Sequence, residues 1–163
     1  MALVFTLGSS YRISKKVETT DKKFIVVLDA GHGGTDPGTL GTGRYKTSEK
    51  NIALDVTLKV GKLIEENYPN VKVVYTRTGD TFPTLKRRVE IANTNNADLF
   101  ISIHCNANPN AEASGSESFV MGLHKSEESL RNAMRENASI YLESDGGKDY
   151  DGFDPNNPDT YIA

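Results

Sequence analysis

The sequence predicts an α/β protein with a mixed, mostly parallel sheet flanked by helices. Short apolar runs alternate with segments of helical spacing in the order β-α-β-α-β-β-α, an order typical of sheets covered by helices. The first apolar run, "KFIVVLD", is rich in β-branched residues and stops at a long glycine-rich loop, which predicts a buried strand. The 163 residues are enough for one domain with its own core.

The first half of the chain predicts a strand, a loop and a helix. The strand covers residues 23–29, and the loop over 31–48 is long enough to suggest a functional role. A helix follows from about Glu49 to Asn67, and Ser48 or Thr47 can cap it. Its apolar residues recur at helical spacing and are expected to form the buried stripe: Ile52, Val56, Val60 and Leu63.

The second half predicts three more strands and two more helices. The strands are expected over residues 70–77, 98–106 and 114–122, and a helix with Leu85, Val89 and Ala92 on one face runs to about Asn95. A last helix begins after Ser126. Its inner stripe is expected to contain Leu130, Ala133 or Met134, Asn137 and Tyr141. We therefore expect a leader over 1–22, a domain over 23–143 and a polar loop or tail over 144–163.

Composition and charge exclude several classes of protein. The formal net charge is −3, from 19 basic and 22 acidic residues, and no basic cluster indicates nucleic-acid binding. A single cysteine, Cys105, excludes an internal disulfide and a cysteine-based zinc site. No apolar stretch has the length of a membrane span. The start "MALVFTLGSS" is similar to the rear of a secretory signal peptide.

Three residues are candidates for chemistry because of where they stand in the predicted elements. His32 follows the first strand at its carboxyl end, the edge at which ligands bind in open α/β sheets. Glu49 heads the apolar stripe of the first helix, where a carboxylate needs a cation or a metal as its partner. His104 ends the third strand, on the face opposite to Cys105. Each residue taken alone also fits an ordinary structural role.

Taken together, the three residues favour a metal site. Two histidines leave the same ends of two parallel strands, and a carboxylate enters from a helix start beside them. Two histidines and a carboxylate with an open fourth position form a set used by catalytic zinc. Such a zinc ion lowers the pKa of bound water and polarises a carbonyl group.

The same residues carry a resemblance to a known family. The segments "VVLDAGHGGTDPG", "SEKNIALDV", "VYTRTGD", "RVEIANTNNADLFISIHCNA" and "GSESFVMG" resemble the catalytic domain of zinc-dependent N-acetylmuramoyl-L-alanine amidases of the amidase 3 family. The resemblance runs from about Lys23 to Met121. It implies a zinc-dependent exopeptidase-like fold with Zn²⁺ held by His32, Glu49 and His104. It also implies hydrolysis of the amide between N-acetylmuramic acid and L-alanine in peptidoglycan, and a periplasmic or extracellular location.

The chain departs from this family in one respect. The family's general acid/base is a second glutamate in a late segment resembling "VLVEVGFLSN", and this chain has no such segment. The glutamates from 127 to 143 are expected on the solvent face of the last helix. We therefore expect a truncated amidase domain that binds zinc but hydrolyses muropeptide poorly, with no catalytic residue assigned. An uncovered sheet face is expected to favour self-association.

Two further residues and two other functions stay open at this stage. Asn106 lies two residues after His104 on the same face and is a candidate for substrate binding. Arg77 either faces the cleft or, as we favour, pairs with Asp80 or caps a helix. A non-catalytic, zinc-containing module that binds peptidoglycan is the alternative function. A nucleotide-binding loop is a weaker one, because "GHGGTDPG" lacks the Lys-Ser/Thr ending of a P-loop.

Overall fold

The computed structural model describes residues 22–41, 46–105, 112, 114–119, 127–145, 148, 150 and 153–157. Three parallel strands form one sheet in the order β2-β1-β3, so the predicted α/β fold is confirmed. The strands are β1 (Phe24–Ala30), β2 (Val71–Tyr75) and β3 (Leu99–Ile103). The helices are α1 (Glu49–Asn67), α2 (Leu85–Thr94) and α3 (Glu127–Asn137), and a short 3₁₀ helix (Ala138–Leu142) follows α3.

The central strand β1 supplies most of the core. Val26, Val27, Leu28 and Ala30 are buried, and Leu28 pairs with Tyr75 of β2 on one side and with Ile101 of β3 on the other. The continuous apolar run is what a strand covered on both faces requires. Because the three strands are parallel, their carboxyl ends meet at one edge of the sheet, and the loop after β1 starts there.

Helix α1 has the predicted bounds but packs through a different stripe. Its buried residues are Glu49, Ala53, Thr57 and Gly61, whereas Ile52, Val56 and Leu63 are exposed by 40%, 39% and 58%. The reason is close packing: a Cβ atom at Gly61 would overlap the Tyr75 hydroxyl, so only small side chains fit between α1 and β2. The predicted stripe is therefore wrong for these three apolar residues.

Helix α2 differs from its predicted pattern in the same way. Its one buried residue is Arg88, while Val89 of the predicted apolar face is 56% exposed. Arg88 donates to Asp29 and to the backbone carbonyls of Ala30 and His32, which satisfies its guanidinium group inside the protein. A periodicity of apolar residues cannot reveal a helix that packs through an arginine.

The predicted fourth strand is wrong over the part that the structure describes. Residues 114–119 form no regular secondary structure and are exposed, and residues 120–122 lie outside the described part of the chain. The predicted leader lies outside it as well, apart from Lys22. Among the described residues, no helix combines the length and the hydropathy needed to cross a bilayer.

Asp29 ties the strands to α2 beneath the site. Its carboxylate accepts hydrogen bonds from the Thr76 and Ser102 hydroxyls and from Arg88, each at 2.6 Å. Burial by itself would raise the pKa of Asp29, but the Arg88 charge and these hydrogen bonds outweigh it and hold the pKa below its ordinary value. The buried charge is thus paired and fully hydrogen-bonded, which a buried carboxylate requires.

Candidate metal centre

Four side chains converge above the carboxyl edge of the sheet. His32, Glu49, His104 and Glu136 each offer one ligand atom, and these atoms all lie within 4.8 Å of one another. Three of the four residues are those predicted from the sequence. We call these four residues the donor group.

His32 reaches the donor group from the turn that follows β1. It has a φ of 59°, an unusual conformation for a residue with a side chain, and Arg88 donates to its carbonyl oxygen at 2.8 Å. Nδ1 lies 2.7 Å from Asp36 Oδ2, so that Nε2 points to the other three members. The positive φ, held by the surrounding hydrogen bonds, aims the imidazole across the sheet edge.

Glu49 enters the donor group as the first residue of α1. Its Oε1 lies 3.1 Å from His32 Nε2 and 3.3 Å from His104 Nδ1. The same oxygen accepts from the Cys105 backbone N–H, and Oε2 accepts from that of Thr39. The side chain is only 3% exposed, which fixes this carboxylate in one orientation.

His104 follows β3. It directs Nδ1 at the donor group, whereas His32 directs Nε2. His104 Nδ1 lies 3.1 Å from His32 Nε2 and 2.9 Å from Glu136 Oε2. The ring lies directly over Gly31, where a Cβ atom would overlap it. Gly31 therefore sets how closely the ends of β1 and β3 bring the two imidazoles together.

Glu136 is the member that the sequence analysis missed. The prediction that the glutamates from 127 to 143 face solvent is wrong for it, because the Glu136 side chain is 19% exposed and its Oε2 lies 3.4 Å from His32 Nε2. Arg135 holds the other carboxylate oxygen at 2.7 Å. Glu136 stands three residues after Ala133, a spacing shared with the predicted inner stripe, and this signal could have identified it.

The same prediction is also wrong for Glu143. This residue is buried, and its carboxylate accepts from the Leu85 backbone N–H and from the Tyr150 hydroxyl. It therefore caps the start of α2, where a negative charge is favoured by the helix dipole. The contact holds the segment after α3 against α2.

The electrostatics of the donor group favour a bound cation. Burial would lower the pKa of His32, but hydrogen bonds to Asp36, Glu136 and Glu49 outweigh it and raise the pKa to about 11. Burial would also lower the pKa of His104, but hydrogen bonds to Glu136 and Glu49 outweigh it and raise this pKa. The pKa values of Glu49 and Glu136 are held well below their ordinary range, against the effect of burial, by the two histidines. The carboxylates thus stay ionised, and the positive charge beside them is supplied by the protonated imidazoles or, in place of the protons, by a metal ion.

The chemistry of the donor group fits a divalent transition metal. Two imidazole nitrogens and two carboxylate oxygens are ligands that zinc accepts in a four-coordinate site. Cys105 is not a member, as the predicted strand faces require. Each histidine has a ring nitrogen directed at the group, and both carboxylates are oriented by donors outside it.

The other two candidate residues have different outcomes. Asn106 lies outside the described residues, so its role in substrate binding stays a prediction. Arg77 is buried and donates to the backbone carbonyls of Ala30, Gly31, Lys50 and Gly79. The expected pairing of Arg77 with Asp80 is wrong, since Asp80 accepts from Lys50 and from the Gly34 backbone instead. Arg77 joins the start of α1 to the end of β1.

Comparison with known proteins places the chain in one family. The amidase 3 family model, described as N-acetylmuramoyl-L-alanine amidase, matches residues 26–157. N-acetylmuramoyl-L-alanine amidase AmiC of Escherichia coli O6:H1 is 42% identical over 101 residues, which are 62% of this chain and 24% of AmiC. N-acetylmuramoyl-L-alanine amidase AmiA of Salmonella typhimurium is 40% identical over 117 residues, which are 71% of this chain and 39% of AmiA. The chain thus spans well under half of either relative.

Solved structures show the same relationship. The catalytic domain of CwlV, an N-acetylmuramoyl-L-alanine amidase from Bacillus (Paenibacillus) polymyxa var. colistinus, aligns with a TM-score of 0.55 and 38% identity, covering 68% of this chain and 59% of that one. An N-acetylmuramoyl-L-alanine amidase from Clostridium difficile 630 aligns with a TM-score of 0.52 and 34% identity, covering 57% and 49%. The three-stranded sheet with its helices is therefore similar to part of these catalytic domains.

Proposed function

The chain belongs to the N-acetylmuramoyl-L-alanine amidase family, and from this premise we propose that it acts on peptidoglycan as a zinc-dependent amidase. The bond cleaved is the amide between N-acetylmuramic acid and the L-alanine of the peptide stem. This substrate lies outside the cytoplasmic membrane of a bacterium, so the proposed place of action is the periplasm or the cell surface.

The convergence of the donor group carries this proposal. His32, Glu49 and His104 would hold the metal, through Nε2, Oε1 and Nδ1 respectively. A zinc ion bound there supplies Lewis-acid polarisation of the scissile carbonyl and of a water molecule. The protein itself contributes fixed ligands: Glu49 is held by two backbone N–H groups, and His32 by Asp36 and Arg88.

Glu136 bears directly on whether the site can act. A catalytic zinc site keeps one position open for water or substrate, whereas a structural site is closed by four protein ligands. Glu136 Oε2 lies 2.9 Å from His104 Nδ1, on the side where the other donors meet. In this arrangement the Glu136 carboxylate would take the fourth position on a bound zinc ion, and a substrate carbonyl could bind there only if Glu136 moved away.

The contact between Glu136 and His104 also favours a second function. If Glu136 stays in place, the chain is a zinc-containing module that binds peptidoglycan without cleaving it. The two functions differ in what happens when the fourth donor is removed, because only an amidase gains turnover from an opened position.

The test compares zinc content and muropeptide cleavage in the unaltered chain, Glu136→Ala and His32→Ala. Cleavage is read as stem peptide with a free L-alanine amine, by mass spectrometry. We expect a single zinc ion per unaltered chain with slow cleavage, faster cleavage by Glu136→Ala, and neither zinc nor cleavage with His32→Ala. Equal, background cleavage by all three proteins, with zinc present in the first two, would establish the non-catalytic module instead.

Glu127→Ala is the matched control for Glu136→Ala. Glu127 lies on the same helix, and its side chain is 94% exposed and paired only with Arg131 among the described residues. It should leave zinc content and cleavage unchanged. A gain with Glu127→Ala equal to that with Glu136→Ala would show that loosening α3, and not opening the fourth position, causes the effect.

A further inference from the structure

The turn after β1 is folded back on itself so that Asp36 lies beside His32. The backbone of Gly33 and Asp36 exchanges two hydrogen bonds of 2.9 Å, one in each direction. This short bridge buries Asp36, which is 4% exposed. The aspartate is therefore placed by the backbone of the turn and does not depend on the donor group for its position.

Both oxygens of the Asp36 carboxylate accept hydrogen bonds. Oδ2 lies 2.7 Å from His32 Nδ1, and Oδ1 accepts from the Gly38 backbone N–H at 3.0 Å. An ionised carboxylate can only accept, so Nδ1 must carry the proton of this hydrogen bond. A metal ion that displaces the second ring proton would therefore bind at Nε2, the atom that faces Glu49, His104 and Glu136.

His104 is oriented differently. It presents Nδ1 to the donor group, and its ring is placed by contact with Gly31. Within the described part of the chain, no carboxylate outside the donor group hydrogen-bonds to His104. The two histidines thus use opposite ring nitrogens, and among the described residues a carboxylate outside the donor group contacts His32 and not His104.

We propose that Asp36 is a positioning residue that keeps a proton on His32 Nδ1 and orients the ring, so that Nε2 is the nitrogen offered to a metal ion. The inference rests on the proposed metal site and deepens it. Outer partners of this kind fix the ring and raise its basicity, and their loss costs about 10–100-fold in metal affinity.

Asp36→Asn tests the proposal with little change in shape. An amide has one acceptor and one donor end, so it cannot accept from both His32 Nδ1 and Gly38 N–H. We expect zinc affinity, measured by competition with a chelating dye, to fall about 10–100-fold. Zinc affinity equal to that of the unaltered chain would overturn the proposal.

Asp80→Asn is the matched control. Asp80 also holds this turn, by accepting from the Gly34 backbone N–H and from Lys50, but it does not touch His32. It should lower the melting temperature of the metal-free chain without lowering zinc affinity. A loss of affinity equal to that of Asp36→Asn would show that the turn as a whole matters and that the Asp36–His32 contact has no special role.

A measurement on the unaltered, zinc-loaded chain needs no variant and covers the case in which Asp36→Asn does not fold. Nitrogen-15 NMR of the histidine rings distinguishes a metal-bound nitrogen from a protonated one. We expect His32 with the proton on Nδ1 and the metal on Nε2. Metal on Nδ1 of His32 would overturn the proposal, whereas failure of the unaltered chain to bind zinc would overturn the proposed function itself.

Discussion

Gly31 controls the distance between the two imidazoles at the scale of a single residue. The His104 ring occupies the space that a side chain at position 31 would need. This packing contact acts together with the contacts of His104 Nδ1 to Glu136 and His32 to orient the ring. A glycine is required here for close approach of a ring to the backbone.

Gly31→Ala should therefore damage both stability and metal binding. Overpacking of this kind costs about 1–3 kcal/mol in the free energy of unfolding, and the displaced ring should lower zinc affinity. Chemical denaturation of the metal-free chain and a zinc competition assay measure the two effects. Gly79→Ala is the control, since a Cβ atom there meets nothing within 4 Å. Unchanged zinc affinity in Gly31→Ala would contradict the assigned role of the glycine.

Sequence reasoning found three members of the donor group and missed the fourth for a physical reason. His32, Glu49 and His104 stand at strand ends and at a helix start, positions that a parallel sheet brings to one edge. Glu136 depends on where α3 packs, and this is decided by long-range contacts such as that of Glu143 with the start of α2. Periodicity shows which face of α3 is inward but does not show what that face meets.

At the scale of elements, the Asp29 carboxylate connects β1 to β3 and α2. Its folded pKa is held below the ordinary value of 3.8 by Arg88 and two hydroxyls, against the effect of burial. A group with a lowered folded pKa contributes stability above its unfolded pKa, and this contribution is lost as the pH falls through the folded value. Asp29 thus stabilises the fold at neutral pH and ceases to do so in acid.

Asp29→Asn should make the free energy of unfolding depend less on pH in the acid range. It removes one partner of a buried ion pair, so the free energy of unfolding at pH 7 should fall by about 3–5 kcal/mol. As the pH falls below about 3.8, the unaltered chain should lose the contribution of Asp29, whereas the variant has no such contribution to lose. Denaturation from pH 7 to pH 2 measures both effects.

Asp55→Asn provides the comparison for that experiment. Asp55 is 63% exposed and pairs with Lys59 on the surface of α1, a contact worth little. The free energy of unfolding of Asp55→Asn should depend on pH in the same way as that of the unaltered chain. An Asp29→Asn curve parallel to that of Asp55→Asn would mean that Asp29 is not responsible for the acid loss.

The elements themselves were predictable where local pattern and tertiary packing agree. The three strands and α1 stand where the sequence places them, because β-branched runs and helical spacing act within the element. The buried faces of α1 and α2 were not predictable. Gly61 and Thr57 face the sheet because α1 lies close to it and leaves room only for small side chains. Arg88 is buried because its guanidinium group donates hydrogen bonds to Asp29 and to a backbone carbonyl.

At the scale of the whole molecule, the donor group joins four separate parts of the chain. His32 belongs to the turn after β1, Glu49 to α1, His104 to the end of β3 and Glu136 to α3. An ion bound by all four would link segments that are far apart in sequence, and this arrangement exists only in the folded state. Metal binding would therefore be coupled to folding.

Zinc should consequently raise the melting temperature. A ligand at 100 times its dissociation constant stabilises the folded state by about 2.7 kcal/mol, or about 5–10 °C in melting temperature. Differential scanning fluorimetry with zinc, with magnesium and after chelation measures the shift. The shift should vanish in His104→Ala. An equal shift with magnesium would contradict a site built from imidazole and carboxylate donors.

The expected self-association of the chain stays a prediction, and exposed apolar side chains on β3 support it. Leu99, Phe100 and Ile101 are exposed by 45%, 41% and 37% in the described structure. Apolar exposure along an edge strand is a feature that favours association between chains.

The sequence by itself determined the α/β class, the family and three of the four donor residues. The family follows from the resemblance of several segments to known amidases. The fold class and the donor residues follow from patterns within single elements and from the rule that parallel strands end at one edge. The tertiary structure alone decided that Glu136 closes the donor group, that Asp36 faces His32 Nδ1, and that Arg88 and not Val89 is buried. The first and the last depend on distances between elements, and the second depends on the exact backbone path of one turn. These distances are set by packing and hydrogen bonding in the folded chain, which the spacing of apolar residues does not fix.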